Sequence, residues 1–142
     1  MNPQGLYELA EKQNIPVLTF PLPVNGSLSI RDEAGSCWVG MDAGVCDGGA
    51  YETVHLAHEL GHCLTGSFYS IHTAVDTRRR HEIRADKWAI RQLIPVEALD
   101  DAIASGCQTT WELAEYFGVT EAFVRKAVCL YVHGNLATEL YF

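Results

Sequence analysis

The sequence has no apolar run long enough to cross a bilayer, which takes about 20 predominantly apolar residues, so we expect no membrane-spanning helix. Its first residues lack the basic and apolar regions of a signal peptide. The hydrophobic fraction of 48% and the charged fraction of 20% exclude disorder, collagen and coiled coil as the main architecture. These observations predict a globular protein of the cytoplasm.

Basic residues are scarce, because 10 Lys and Arg stand against 18 Asp and Glu, and the formal net charge is −8. Phosphate backbones and anionic membrane surfaces attract positively charged proteins. Neither nucleic acid nor a membrane is therefore expected as a partner, unless a local basic patch exists.

The cysteines show neither an even count nor a C-x-x-C spacing. Five widely spaced cysteines are typical of reduced thiols in a cytoplasmic protein, several of them simply buried. We therefore expect free thiols at all five positions, which are Cys37, Cys46, Cys63, Cys107 and Cys129.

The 142 residues suit one domain, or one domain with a small helical appendage. The apolar spacing predicts one helix, then short strands at 15–22, 27–31 and 36–41, then helices only. Pro16 and Pro21 interrupt the first strand and cannot donate to a ladder, so it should be an edge strand. This segregation predicts an α+β fold in which a small three-stranded sheet packs on the following helices.

The most informative segment is His58-Glu59-Leu60-Gly61-His62. Histidines four residues apart lie on the same helix face, so both imidazoles can bind one zinc ion at about 2.0–2.1 Å. Glu59 lies beside such an ion and can take a proton from zinc-bound water as the general base. The segment predicts a catalytic zinc site.

A zinc site of this type takes a third protein ligand and leaves the fourth position for water. Glu82 follows His62 on the next predicted helix, 77–93, and Asp86 lies one turn further on the same face. We expect Glu82 to be the third ligand. Asp86 should accept the free ring N–H of one of the two histidines, and the spacing alone leaves open which.

An alternative without metal leaves the two histidines as surface groups and pairs the two acidic residues with Arg78 or Lys87. However, the helix around the motif is nearly apolar all round, so it should be buried, and unpartnered polar groups are costly to bury. A metal ion supplies the partner, which favours the zinc site. The apolar neighbours are Leu56, Ala57, Leu60, Cys63 and Leu64.

Other residues have side chains that could act at the site, but a structural role is favoured for each of them. His55 could line the same groove, but a hydrogen-bonded histidine of the core or rim is the more ordinary role. His81 points about 100° away from its neighbour Glu82 on a helix. A thiolate of Cys46 could occupy the open zinc position, although a loop thiol without that role is favoured. Four residues could each donate a hydrogen bond to an oxyanion, and the sequence does not distinguish between them: Tyr51, Tyr69, His72 and His133.

The stretch 51–95 resembles the ImmA/IrrE-type metallopeptidases. The resembling residues are His58-Glu59-Leu60-Gly61-His62, then Glu82-Ile83-Arg84-Ala85-Asp86 with Ala89, then Leu93-Ile94-Pro95. The preceding short strands and the residues 113–120 are also typical of that family. The resemblance implies a small gluzincin-like fold, with zinc held by His58, His62 and Glu82, and with Glu59 as the catalytic base.

Members of that family are typically bacterial or phage proteins that cleave a helix-turn-helix repressor of the XRE type. The resemblance therefore implies a zinc-dependent endopeptidase that derepresses a phage, another mobile element or a stress regulon. We expect residues 1–94 to form the zincin-like core and residues 95–142 a helical extension packed on it as one unit. An edge strand, which could be the segment 36–41, would hold the substrate as an added strand.

Residues 111–128 look like a helix-turn-helix, whose second helix could read DNA. That helix presents Glu121, Arg125 and Lys126, roughly balanced in charge, where a DNA reader has a basic stripe. Packing or substrate docking is therefore favoured. Two other functions remain open: a non-catalytic regulator that contains structural zinc and binds DNA or protein, and a zinc hydrolase acting on a non-peptide amide.

Overall fold

The computed structural model describes residues 2–22, 26–70 and 72–134, and within them the predicted α+β class is confirmed. Six α-helices and a three-stranded sheet make up these ranges. In chain order they are α1 Pro3–Lys12, β1 Val17–Thr19, β2 Ser27–Arg31, β3 Cys37–Met41, α2 Ala50–Thr65, α3 Val75–Leu93, α4 Val96–Ala104, α5 Thr110–Phe117 and α6 Glu121–His133. Among these helices, none combines the length and the apolar character that crossing a membrane requires.

The sheet has the strand order β1-β3-β2, with β3 parallel to β1 and antiparallel to β2. The edge position predicted for the first strand is confirmed. The edge position predicted for the segment 36–41 is wrong, because β3 pairs on both sides. Two strands adjacent in sequence can form a hairpin, but the sequence does not show on which side a third strand adds. In the part of the chain that the structure describes, β2 pairs with β3 alone, so β2 is an edge strand, and it packs against α2.

Local capping signals in the sequence mark several of the helix ends. The Asn2 side chain accepts a hydrogen bond from the Gly5 amide at 3.0 Å, and the hydroxyls of Thr109 and Thr120 cap α5 and α6 in the same way. Gly66 ends α2 with a φ of +67°, a left-handed conformation that favours glycine. The long helix α3 begins at Val75, two residues before the predicted start.

One hydrophobic core joins the sheet, the first three helices and the C-terminal helices. Its fully buried members include Leu6, Met41, Leu56, Leu60, Ile90 and Val124. Side chains from α5 and α6 belong to the same cluster, so α2 and α3 pack against neighbours on several sides. The last eight residues of the predicted extension, 135–142, lie outside the described residues.

Helices α2 and α3 approach each other closely at Gly61, inside the histidine motif. A Cβ atom at this position would lie 2.5 Å from the carbonyl oxygen of Ala85, a contact that side chains do not make. Because the obstructing atom belongs to the backbone, neither helix can yield by rotating a side chain. The missing side chain therefore lets α3 bring Glu82 towards the two histidines.

We expect Gly61→Ala to lower the free energy of unfolding by about 1–3 kcal/mol, the usual cost of overpacking a buried contact. Helix propensity alone would predict the opposite sign, since alanine is favoured over glycine by about 1 kcal/mol inside a helix. Urea denaturation of both proteins measures the difference. A variant as stable as the parent would contradict the close contact between the helices.

Candidate metal centre and active site

Three potential metal ligands from two helices meet at one point. His58 and His62 lie one turn apart on α2, and their Nε2 atoms are 3.2 Å apart. Glu82 on α3 places Oε2 2.8 Å from His58 Nε2 and Oε1 3.2 Å from His62 Nε2. These three residues form a cluster whose ligand atoms all lie within 4.8 Å of one another.

The spacing of this cluster is close to that of a tetrahedral metal site. Two ligand atoms on a tetrahedral zinc ion, at bonds of about 2.0–2.1 Å, are about 3.3–3.4 Å apart. The observed separations of 2.8 and 3.2 Å are slightly shorter, so an ion could enter with small side-chain movements. Two imidazole nitrogens and one carboxylate are also a common donor set for catalytic zinc. The cluster can therefore hold a metal ion.

In the absence of a metal ion, hydrogen bonds connect the same three side chains. Burial lowers the pKa of His58, but its hydrogen bonds to Asp86 and Glu82 outweigh this and raise the pKa to about 10. Burial likewise raises the pKa of Glu82, but its hydrogen bonds from His58 and His62 outweigh this and hold the pKa well below its usual range. Since metal ligation requires neutral imidazoles, protons compete with a metal for these Nε2 atoms.

Each histidine ring is oriented through its other nitrogen. His58 Nδ1 donates to Asp86 Oδ1 at 2.7 Å, so of the two histidines left open by the sequence, Asp86 contacts His58. His62 Nδ1 donates instead to the backbone carbonyl of Ser67, just after α2. Both contacts turn Nε2 towards the cluster. The Ser67 contact was missed by sequence analysis, because a backbone carbonyl has no residue-type signal.

Glu59 lies outside the ligand cluster but in the wall of the same cleft. Its side chain is buried, and its Oε2 accepts a hydrogen bond from the Ser27 hydroxyl at 2.8 Å. The hydroxyl of Ser27 is also 2.8 Å from His55 Nδ1. Sequence analysis missed Ser27, which lies at the start of β2, more than 25 residues from the motif.

The cleft has a volume of about 560 Å³ and is bounded by the sheet on one side and by α6 on the other. Ser27, Leu28 and Ser29 of β2 line it, and so do Phe123 and Lys126 of α6. The site is therefore not confined to the two motif helices. An edge strand of the sheet therefore lines the same cleft as the ligand cluster.

Of the four residues considered for an oxyanion contact, Tyr69 lines the cleft. Its hydroxyl donates to Glu82 Oε1 at 2.6 Å, and this bond, together with burial, raises the Tyr69 pKa to about 12. Its ring stacks on that of His81, which is outside the ligand cluster. Cys46 donates to the carbonyl oxygen of Asp42 and is not among the residues that line the cleft.

Lys126 has a different position from the one predicted. The helix-turn-helix interpretation placed it on an exposed face, whereas its Nζ lies 3.3 Å from Asp86 Oδ2 at the rim of the cleft. Asp86 therefore contacts His58 with one oxygen and Lys126 with the other. The face of α6 that carries Lys126 packs towards the metal centre, which removes one of the two cations from the predicted DNA-reading surface.

The prediction of five free thiols is wrong for one pair. Cys37 on β3 and Cys63 on α2 form a disulfide that joins the sheet to the motif helix. Their Cα atoms are 5.7 Å apart although 26 residues separate them in sequence. A contact of this kind depends on how β3 packs against α2, which cysteine spacing does not reveal. Cys46, Cys107 and Cys129 are not disulfide-bonded.

Comparison with known proteins gives one family match. A search of curated proteins returns no match to the chain. The model of the IrrE N-terminal-like domain (Peptidase_M78) matches residues 52–128, which is more than half of the sequence. The matched range includes all but the first two residues of α2, the whole of α3, the ligand cluster, Glu59 and most of α6. The chain therefore belongs to the IrrE N-terminal-like family of peptidases.

Proposed function

We propose that this protein is a zinc-dependent endopeptidase. The observation that carries the proposal is the convergence of His58, His62 and Glu82, whose ligand atoms lie within 4.8 Å of one another, in a cleft that also contains Glu59. Membership of a peptidase family supports it. When bound, zinc would polarise the scissile carbonyl and lower the pKa of a bound water to about 7.

Groups of the protein itself would transfer the proton, orient the two imidazoles and stabilise the oxyanion. Glu59 would accept the proton of the attacking water and later pass it to the leaving amine. Asp86 and the Ser67 carbonyl would keep the two imidazoles in the tautomer that ligates through Nε2. The Tyr69 hydroxyl would donate to the developing oxyanion, since it is a donor at the edge of the ligand cluster.

The substrate would bind as an extended segment along β2. Among the described residues this strand pairs on one side only, and it lines the cleft, so the backbone groups of its other side could hydrogen-bond to an added strand. The substrate would therefore pair with β2 and not with the segment 36–41, which lies in the middle of the sheet. Such pairing recognises the backbone, so specificity would come from the side chains along the cleft.

We propose a helix-turn-helix repressor of the XRE type, from a phage, another mobile element or a stress regulon, as the substrate. The motif residues and the family membership support this, and α5 and α6 would serve packing or docking. Such a repressor acts in the cytoplasm, so the proposal places the peptidase there.

Incubation of the purified protein, loaded with zinc, with a purified helix-turn-helix repressor encoded beside it should give discrete cleavage products. A chelator should abolish cleavage, and added zinc should restore it, because the ligand cluster would be emptied and refilled. Gel electrophoresis and mass spectrometry of the products measure both effects. Tight binding of zinc and of the repressor without any cleavage would instead support a non-catalytic regulator.

A further inference from the structure

We propose that Ser27 and His55 form a hydrogen-bonded chain that positions Glu59. The inference rests on the proposed function, because it assigns Glu59 the role of the base. Ser27 and His55 are positioning residues, since they act through Glu59 and are not placed on the substrate. Nothing in the histidine motif requires either of them.

The chain of contacts connects the substrate-binding edge to the motif helix. Ser27 is the first residue of β2 and is 7% exposed. Its hydroxyl oxygen lies 2.8 Å from Glu59 Oε2 and 2.8 Å from His55 Nδ1. His55 and Glu59 are four residues apart on α2, so they lie on the same face and Ser27 inserts between their polar atoms.

The direction of each hydrogen bond follows from the number of protons. An ionised carboxylate only accepts, and a serine hydroxyl has one proton, so Ser27 donates to Glu59. The hydroxyl oxygen must then accept from His55 Nδ1–H. Burial lowers the pKa of His55, which keeps the imidazole neutral with a single ring proton. That proton is therefore on Nδ1, and both bonds point towards Glu59.

This arrangement would determine which carboxylate oxygen works as the base. Oε2 is engaged by the Ser27 hydroxyl, so the proton taken from water is left to Oε1. The carboxylate is also held in one orientation before the reaction, and a misplacement of about 1 Å can cost about 100-fold in rate. Because Ser27 lies on β2, the same residue would place the base relative to the bound peptide backbone.

The first test measures kcat and KM of zinc-loaded variants on the cleaved repressor. Ser27→Ala should lower kcat by about 10–100-fold with KM and bound zinc unchanged, and Ser27→Thr, which keeps the hydroxyl, should recover most of the loss. His55→Leu should lower kcat in the same way, whereas His55→Asn keeps a donor near Nδ1 and should lose less. Ser36→Ala, an exposed serine in the turn before β3, is the matched control.

The second test needs no activity and uses the metal-free protein. Long-range ¹H–¹⁵N spectra should show His55 as the neutral tautomer protonated at Nδ1, with the signal assigned by its loss in His55→Asn. Ser27→Ala should shift the tautomer towards Nε2–H, because the acceptor for Nδ1–H is gone. Detection of the Nε2–H tautomer in the parent protein would overturn the proposal, and this readout survives even if one variant folds poorly.

The outcomes separate this inference from the proposed function. If Glu59→Gln is inactive while Ser27→Ala keeps the kcat of the parent, the positioning chain is wrong and the endopeptidase proposal stands. If Glu59→Gln remains fully active, the assignment of the base fails, and the positioning chain fails with it. A fall in kcat for Ser27→Ala together with recovery in Ser27→Thr supports both.

Discussion

Replacing Glu59 with glutamine should lower kcat for repressor cleavage by about 100- to 10,000-fold, the range expected when a general base is removed. The amide has nearly the same shape and can still accept the Ser27 hydrogen bond, but it cannot take a proton from water. Because Glu59 lies outside the ligand cluster, the variant should bind zinc like the parent. Single-turnover cleavage and metal analysis of the purified proteins measure the two properties separately.

The matched control is Glu115→Gln, which makes the same chemical change at an exposed position of α5. It should leave both cleavage and zinc content unchanged. Undiminished proteolysis by Glu59→Gln would show that another group serves as the base. Loss of zinc in Glu59→Gln would instead mean that Glu59 contributes to ligation, contrary to its position outside the cluster.

Removing the carboxylate at Glu82 should abolish both metal binding and cleavage. In Glu82→Ala the two histidines remain, but the third ligand and its negative charge are lost, and two ligands do not make a zinc site of this type. Bound zinc should fall from about one ion per chain to a small fraction of that, and cleavage to background. Metal analysis after gel filtration, and competition with a chromogenic chelator, measure the loss.

A smaller effect is expected one step further from the metal. Asp86→Asn keeps all three ligands but weakens the contact that orients His58, and such changes typically cost about 10- to 100-fold in metal affinity. The matched control for Glu82→Ala is Glu115→Ala on the surface of α5, which should change neither bound zinc nor cleavage.

Stoichiometric zinc and parent-like cleavage in Glu82→Ala would show that the third ligand comes from elsewhere in the chain.

Sequence analysis worked best where the relevant residues are close together along one helix. His58 and His62 need only helical periodicity to share a face, and the same holds for Glu82 and Asp86 on α3. Helix ends also follow local signals, because Thr109, Thr120 and Gly66 act on backbone groups within a few residues. Short-range geometry is determined by the local chain, whatever the rest of the fold does.

The errors and omissions all involve contacts between distant parts of the chain. The edge position of β2, the contact of Lys126 with Asp86 and the Cys37–Cys63 disulfide each depend on the way that separate elements pack. Ser27 was missed for the same reason, since a serine at the start of a strand has no feature that links it to Glu59, 32 residues later in the chain.

The amino-acid sequence alone determined the α+β class, the order of strands and helices and the residue types that could ligate a metal, because these follow from periodicity and side-chain chemistry. Only the tertiary structure decided which partners hold each ligand, which strand edge faces the cleft and that α6 closes one side of it. The physical reason is that a hydrogen bond or ion pair depends on distances of a few ångströms between groups, and the packing of the core sets those distances.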